Sequence, residues 1–227
     1  MVKYAAAMGV AALLILAWVP DCDLACARLF YAGGGYFIGN TPIGVVARDI
    51  AKLVPLLLFV GLLLLHVGAR TGLVAASHAP DVRGMLFLTL SLALGPGLLV
   101  NMLKDEMHRP RPTHLRDFGG RLAFAPFYSP DGGCPRNCSF PSGEAAAAFW
   151  TVAPASLAAG PLRPVLLALA LLFGLATGGL RMASGGHFLS DIISAGILTL
   201  SVNAALRWVP LLSAPPSRAE NSRSRCQ

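Results

Sequence analysis

The sequence predicts an all-α, polytopic membrane protein with six transmembrane helices, and two observations carry that prediction. Of its 227 residues, 55% are hydrophobic and only 13% are charged, which is about half the charged share of a typical soluble domain. In addition, six apolar stretches approach the roughly 20 residues that a helix needs to cross the hydrocarbon core. These features exclude an ordinary soluble enzyme and a disordered or collagen-like chain.

The six predicted spans are helices because an apolar segment in lipid must satisfy its own backbone hydrogen bonds. In chain order they are Tyr4–Val19, Ile50–Gly68, Met85–Met102, Ser142–Gly160, Leu162–Leu180 and Phe188–Val209. No small-x-small cleavage site follows the first span, so we expect it to be an uncleaved helix and not a signal peptide. A six-helix domain thus covers residues 1–212, and we expect the Ser-, Arg- and Pro-rich tail over residues 213–227 to be cytoplasmic and disordered.

Six spans place both termini on the same side of the membrane. That side would carry eight of the 18 Lys and Arg residues, so the number of basic residues does not decide the orientation. A cytoplasmic amino terminus is favoured once cations with a role in a site are set aside. The net charge of +7 does not indicate nucleic acid here, because the apolar stretches make the bilayer the first partner to consider.

The cysteines fit this orientation. Cys22, Cys26, Cys134 and Cys138 fall on the outer side and Cys226 in the inner tail, and disulfides persist in oxidising compartments such as the periplasm. The sequence leaves open whether Cys134 pairs with Cys138, Cys22 pairs with Cys26, the pairs cross, or the thiols are free.

Three polar segments lie at the predicted outer ends of spans. They are Lys104–Pro112, Phe140–Glu144 and Arg181–Asp191. Because all of these ends reach the same face of the membrane, we expect the segments to converge in an active site at the outer membrane–water interface. The connection Leu103–Pro141 is long enough to be functional, and its aromatic residues either roof the site or rest on the membrane.

The residue types in these segments suit a phosphate group. Lys104, Arg111 and Arg181 supply a point charge and two planar forks for phosphate oxygens. Ser142 and Gly143 open a helix, where unpaired N–H groups and the helix dipole favour an anion. The arrangement predicts a phosphate site that needs neither a metal nor a cofactor.

His187 and Asp191 are one helical turn apart, so that their side chains can meet. A carboxylate on one imidazole nitrogen leaves the other free to attack phosphorus, which predicts a phosphohistidine intermediate that water hydrolyses. Taken singly, each residue also has a structural interpretation. Lys104, Arg109 and Arg181 could be interfacial anchors, Ser142 could cap its helix, and the His–Asp pair could join two helices.

The joint spacing resembles the phosphatidic acid phosphatase type 2 (PAP2) superfamily of membrane lipid phosphatases, which is related to vanadium haloperoxidases. Its first motif is lysine, six residues and Arg-Pro, which Lys104, Arg111 and Pro112 match. Its second is Pro-Ser-Gly-His, which residues 141–143 match before Glu144 replaces the histidine.

The third motif is Ser-Arg, five residues, His, three residues and Asp. Arg181, His187 and Asp191 match it, and Leu180 replaces the serine. The resemblance therefore covers residues 104–191 by motif, and the six-helix arrangement extends it to nearly the whole chain.

The resemblance implies a role for each matching residue. His187 is the expected nucleophile and Asp191 its orienting partner. The expected phosphate-binding residues are Lys104, Arg111, Ser142, Gly143 and Arg181. We hypothesise that Glu144 replaces the missing histidine as general acid, which requires it to hold a proton near neutral pH. Alternatively, Glu144 orients His108 or water, or the enzyme is impaired.

The resemblance thus implies a metal-independent phosphatase that acts on a membrane lipid. We expect it to lie in a bacterial-type inner membrane, with its site facing the periplasm. The segment Asn137–Glu144 resembles lipid A phosphatase-like members and weakly favours lipid A. Undecaprenyl diphosphate is the alternative substrate, and a non-catalytic lipid-binding or transport protein of the same fold is the alternative function. The sequence indicates no oligomeric state.

Overall fold

The computed structural model describes residues 2–210 and 212, and it is built mainly of helices. In chain order these are α1 (Val2–Trp18), α2 (Asp21–Arg28), α3 (Pro42–Arg70), α4 (Val82–Leu92), α5 (Val100–Met107), α6 (Gly143–Trp150), α7 (Val152–Ala155), α8 (Leu162–Ala183) and α9 (Leu189–Arg207). Two short antiparallel strands, β1 (Tyr31–Gly33) and β2 (Tyr36–Phe37), form a hairpin. The expected tail over residues 213–227 lies outside the described residues.

Four helical segments of the described chain are long and apolar enough to cross a membrane. They are Pro42–Arg70, Val82–His114, Leu162–Ala183 and Leu189–Arg207. A fifth results if Ala7–Trp18 and Asp21–Arg28, which meet at a bend of 101°, are counted as one span. The prediction of a helical membrane protein is confirmed, whereas the count of six is not.

The predicted fourth span, Ser142–Gly160, is not among these segments. It contains α6 and α7, which have 8 and 4 residues. Pro154 lies inside α7 and has no N–H to donate to the preceding turn, which interrupts the helical hydrogen bonds at this point. The apolar composition of the stretch therefore overstated the length of its helix.

Helix α6 lies at the centre of the bundle because its small residues allow close packing against α8 and α9. Ala145, Ala146 and Ala148 are fully buried. The ring of Phe149 fills a notch at Gly174 of α8, where an added Cβ would lie 2.3 Å from the ring. This packing fixes the start of α6 between the ends of its neighbours.

A π-helical segment, Ala93–Leu99, joins α4 to α5 into one continuous path. Pro96 lies within it, and a proline that lacks its N–H is a common cause of such a local widening. The helix then ends at His108, whose backbone is left-handed with φ 41°. Lys104 is thereby placed in the last turn.

Large apolar side chains cover the outer faces of the long helices. Leu56, Leu57 and Leu64 of α3 are exposed, as are Leu169 and Leu172 of α8. Exposed leucines in such numbers are unusual on a water-soluble protein and are what a helix needs on a side that faces lipid.

The aromatic residues of the long connection pack inward. Phe118 is buried in a cluster with Phe37 and Phe188, and Phe124 contacts Phe188 edge to face at 5.5 Å. Tyr128, in contrast, is 52% exposed. Phe118 and Phe124 therefore support the connection from behind and do not roof the site.

Candidate active site

Side chains from distant parts of the sequence line one pocket of about 420 Å³ at the end of the bundle where α5 and α8 finish and α6 begins. The lining residues are Arg48, Lys104, Arg111, Asn137, Gly143, Glu144, Arg181 and His187. Six of them were predicted from the sequence. Of the other two predicted residues, Asp191 and Ser142, both are fully buried and lie behind the pocket.

His187 lies in the turn between α8 and α9, and its Nδ1 atom faces the carboxylate of Asp191. The distance from Nδ1 to Asp191 Oδ2 is 3.5 Å, and Ser139 Oγ is 3.4 Å from the same nitrogen. Ser139 also donates to Asp191 Oδ2. With Nδ1 engaged on this side, Nε2 is the nitrogen left for a group in the pocket.

The surroundings of His187 keep its imidazole neutral. The residue is 2% exposed, and burial lowers the pKa of His187 to about 4, with Arg181 and Lys104 adding to the decrease and Asp191 opposing it. Burial disfavours the charged form of a histidine. The imidazole is therefore unprotonated, as a nucleophile must be, throughout the neutral pH range.

Arg109 is the centre of a buried ionic network, so its interpretation as an interfacial anchor is wrong. Its guanidinium is completely buried, donates to Asp23 Oδ2 at 2.8 Å and pairs with Asp191 Oδ1. It also donates to Ser190 Oγ at 2.7 Å. A charge at this depth is tolerated only when it is paired and hydrogen-bonded.

The network fixes Asp191 and, through it, His187. Asp191 Oδ2 accepts a hydrogen bond from the Phe188 backbone N–H at 2.8 Å, while its other oxygen is held by Arg109. The guanidinium of Arg109 also lies 4.3 Å from the ring centroid of Phe188, a favourable distance for a cation–π contact. The carboxylate cannot rotate without breaking several of these contacts at once.

Arg111 is aimed by Asn137. Its Nε donates to the backbone carbonyl of Asn137 at 3.0 Å and its Nη2 to Asn137 Oδ1 at 2.6 Å. Asn137 has a left-handed backbone with φ 53°, which asparagine tolerates better than most residues. It lies in the short loop closed by a disulfide between Cys134 and Cys138, whose Cα atoms are 5.7 Å apart.

The same loop continues into the start of α6. Ser142 Oγ accepts from the Ala145 N–H at 3.4 Å and so caps the helix, and its own N–H donates to the Asp191 carbonyl at 3.3 Å. Gly143, the next residue, faces the pocket: an added Cβ there would lie 3.9 Å from Lys104 Nζ. Of the cysteines that the structure describes, Cys22 and Cys26 are free.

Glu144 lies between two arginines. Its Oε2 atom is 3.5 Å from Arg181 Nε and 4.0 Å from Arg48 Nε. The role of general acid that we expected would have Glu144 deliver a proton to the leaving oxygen, whereas its Oε2 atom faces two guanidinium groups. The role of Glu144 as general acid therefore stays a prediction.

The matching family model is described as the PAP2 superfamily and covers residues 84–212, more than half of the chain. The chain belongs to the PAP2 superfamily. The expectation from the three motifs is thus confirmed at the level of the family.

Among curated proteins, the chain is similar to three that are named lipid A 4'-phosphatase. The protein from Francisella tularensis subsp. novicida (strain U112) is 38% identical over 117 residues, 51% of this chain and 53% of the relative. The protein from Rhizobium leguminosarum is 41% identical over 117 residues, 51% of this chain and 50% of the relative.

A lipid A 1-phosphatase from Rhizobium johnstonii (strain DSM 114642 / LMG 32736 / 3841) is 33% identical over 139 residues, 61% of this chain and 49% of the relative. The chain spans about half the length of the curated relatives it matches. No solved structure matches it.

Sequence reasoning missed several residues of the site. They are Asp23, Arg48, Asn137 and Ser139, together with the buried role of Arg109. Asn137 and Ser139 flank Cys138 in the loop that precedes the second motif, so they could have been found there. Asp23 and Arg48 belong to no motif, and only the contacts that they make in the folded structure connect them with the site.

Proposed function

We propose that this PAP2 protein is an integral-membrane phosphatase that removes phosphate from a membrane lipid. The observation that carries the proposal is a buried, neutral imidazole, fixed by Asp191, at the edge of a pocket that four cationic side chains line. A group of positive donors around a free nucleophile is the arrangement that phosphoryl transfer requires.

The proposed reaction has two steps. In the first, His187 Nε2 attacks phosphorus, the bond from phosphorus to the lipid oxygen breaks, and that oxygen leaves with a proton from water. Asp191 stabilises the positive charge that develops on the imidazole, as the carboxylate of a catalytic triad does. In the second step, water attacks the phosphohistidine, which releases inorganic phosphate and restores the neutral imidazole.

The binding site for the transferred phosphate is proposed to consist of the predicted cations and the start of α6. Lys104 supplies a point charge, whereas Arg111 and Arg181 offer planar donor pairs. The Gly143 N–H lies at a helix amino terminus, which favours an anion. Ser142 acts indirectly, because it caps the helix that presents Gly143.

Lipid A is the substrate we favour, since three of the relatives carry the name lipid A 4'-phosphatase. The charge of the site also suits a phosphomonoester dianion. With His187 neutral, the pocket and the network behind it contain five cations and three carboxylates, which leaves two positive charges. These groups are Arg48, Lys104, Arg109, Arg111 and Arg181, with Asp23, Glu144 and Asp191.

We further propose that the chain crosses a bacterial inner membrane six times with the pocket on the periplasmic side. The pocket is lined from the start of α3, the end of α5, the start of α6 and the end of α8, and this alternation of starts and ends is what successive spans require. The Cys134–Cys138 disulfide beside Asn137 supports this side, because the periplasm is oxidising.

Purified protein should therefore release inorganic phosphate from lipid A in detergent, faster than from undecaprenyl diphosphate or phosphatidate. We expect His187→Ala to lower the rate by at least about a thousandfold, the scale seen when a nucleophile is removed. His66→Ala is the matched control, because His66 lies near the opposite end of α3 and contacts the Pro80 carbonyl.

Activity should persist in chelator and be inhibited by vanadate, which mimics five-coordinate phosphorus. Equal rates for wild type and His187→Ala would rule out the proposed nucleophile. Lipid binding without release of phosphate from any of the three lipids would instead favour a binding or transport protein.

A further inference from the structure

Arg48 is a cation of the pocket that lies outside every motif and outside the segment matched by the family model. It is on the second turn of α3, and it lines the pocket together with His187 and Arg181. Its side chain is 29% exposed. Helix α3 thus contributes one charged residue to a site that the other helices otherwise build.

The contacts of Arg48 leave its Nε–H without a hydrogen-bond partner. This atom is buried and has no acceptor among the described residues, and the same is true of Arg181 Nε. Glu144 Oε2 lies 3.5 Å from Arg181 Nε and 4.0 Å from Arg48 Nε, and it is also buried without a hydrogen bond. Asp49 Oδ1, on the exposed side of Arg48, lies at a similar distance of 3.9 Å from Arg48 Nε. Of the two donors without a partner, Arg181 Nε is the more significant, because the Arg181 side chain is only 5% exposed.

Arg48, Arg181 and Glu144 thus leave two buried donors and one buried acceptor without hydrogen bonds within the described part of the chain. A buried donor without an acceptor is costly, and ion pairs beyond hydrogen-bond distance recover little of that cost. A phosphate oxygen placed between the two guanidinium groups would accept from both Nε–H groups. The pocket beside them is large enough to hold a phosphate, and its other lining cations attract one.

We propose that Arg48 is a fourth phosphate-binding cation, and that Glu144 is the counter-anion that Arg48 and Arg181 exchange for a phosphate group of the lipid. This rests on the proposed function and names a residue of its binding site. Glu144 offsets one of the two positive charges of the arginines before phosphate enters, and its charge weakens the binding of phosphate after hydrolysis.

Arg48 and Glu144 should change the inhibition constant of inorganic phosphate in opposite directions, which distinguishes the proposed roles from other roles of these two residues. Arg48→Gln removes a charged donor, so the inhibition constant of inorganic phosphate rises about tenfold or more. Glu144→Gln keeps the shape but removes the repulsion, so the same constant falls by about threefold or more. In the double variant Arg48→Gln/Glu144→Gln, the net charge returns to that of wild type and the constant lies between the two.

Lys52→Gln is the matched control for the loss of a charge from α3. Lys52 is four residues after Arg48, is exposed, and pairs with Asp49 at 2.8 Å. We expect its inhibition constant to match wild type within twofold. If Arg48→Gln behaves like Lys52→Gln, or Glu144→Gln weakens phosphate inhibition, the inference is overturned while the phosphatase function stands.

A second measurement makes the inference independent of turnover. Inorganic phosphate should raise the unfolding temperature of wild type, because a ligand that binds only the folded state stabilises it. The rise should be smaller in Arg48→Gln and larger in Glu144→Gln. A wild type that releases no phosphate from any lipid yet shows this order would contradict the proposed function alone, whereas equal rises in all variants would contradict the role of Arg48.

Discussion

Replacing Gly186 with alanine should displace Arg181 while leaving the fold intact. An ideal Cβ at position 186 would lie 2.4 Å from Nη2 and 2.7 Å from Cζ of Arg181. Ordinary contacts between such atoms begin near about 3.5 Å, so the guanidinium must move by about 1 Å. The backbone of Gly186 is not in the left-handed region, and alanine can therefore adopt it.

The displaced guanidinium has little room to move. Its side chain is 5% exposed, and Glu144 lies 3.5 Å from its Nε. Because a shift of about 1 Å in a positioning group can cost about a hundredfold in rate, we expect kcat/KM of Gly186→Ala to fall by about that factor. The unfolding temperature should change little, because the clash falls on the far end of a long side chain.

The assay compares initial rates of phosphate release by wild type, Gly186→Ala and Gly179→Ala in the same detergent. Gly179 is the matched control, since an added Cβ there meets nothing within 4 Å and alanine is a better helix former than glycine. A folded Gly186→Ala protein with kcat/KM within threefold of wild type would refute the assignment of Arg181 to phosphate binding.

Three further predictions concern the groups around the pocket. Since burial lowers the pKa of His187 to about 4, its imidazole stays neutral as pH falls from 7 to 5.5. We therefore expect kcat/KM to change less than twofold over this range, once the ionisation of the substrate, measured from its ³¹P shift, has been corrected for. With a histidine of the ordinary pKa of about 6.5, kcat/KM would fall about tenfold. Arg109→Met leaves the carboxylates it pairs with buried and unpaired, so thermal unfolding should show a loss of about 3–5 kcal/mol, whereas Arg121→Met, at an exposed position, should lose little. Asn137→Ala removes the hydrogen bond that Arg111 Nη2 donates to Asn137 Oδ1, which is worth about 1.5–3 kcal/mol, and keeps the one to the backbone carbonyl. We expect kcat/KM to fall about tenfold or more, and reduction of the disulfide should act in the same direction.

Each of these has a contradicting result. A tenfold fall in corrected kcat/KM at pH 5.5 would mean that the imidazole is solvated and charged there. Equal stability of the Arg109→Met and Arg121→Met variants would mean that the buried network contributes no net stability. Unchanged kinetics of Asn137→Ala would show that Arg111 needs no help from the loop.

The sequence predicted the cations of the pocket and the histidine beside them because these residues occupy helix ends at a recognisable spacing. Lys104, Arg181 and His187 lie in or next to the last and first turns of apolar helices, where polar residues stand out. Their gathering in one pocket follows from the alternating direction of the spans. Local pattern and topology together were sufficient for this part of the site.

The parts that were missed depend on contacts between distant residues. Arg109 and Asp23 are 86 positions apart, and nothing in the local sequence of either distinguishes a buried pair from two interfacial charges. Arg48 precedes the second predicted span, where a basic residue at a helix end needs no functional explanation. The length of α6 was overestimated because hydrophobicity was counted without the effect of Pro154 on the helix.

The proposed function depends most on His187 as the acceptor of the phosphoryl group. The most direct test is rapid quenching of the wild-type reaction with a ³²P-labelled lipid phosphate, followed by digestion in alkali, where phosphohistidine is stable. We expect label on the peptide that contains His187 in wild type and in His66→Ala, and none in His187→Ala. Label that persists in His187→Ala, or turnover of that variant at the wild-type rate, would contradict it.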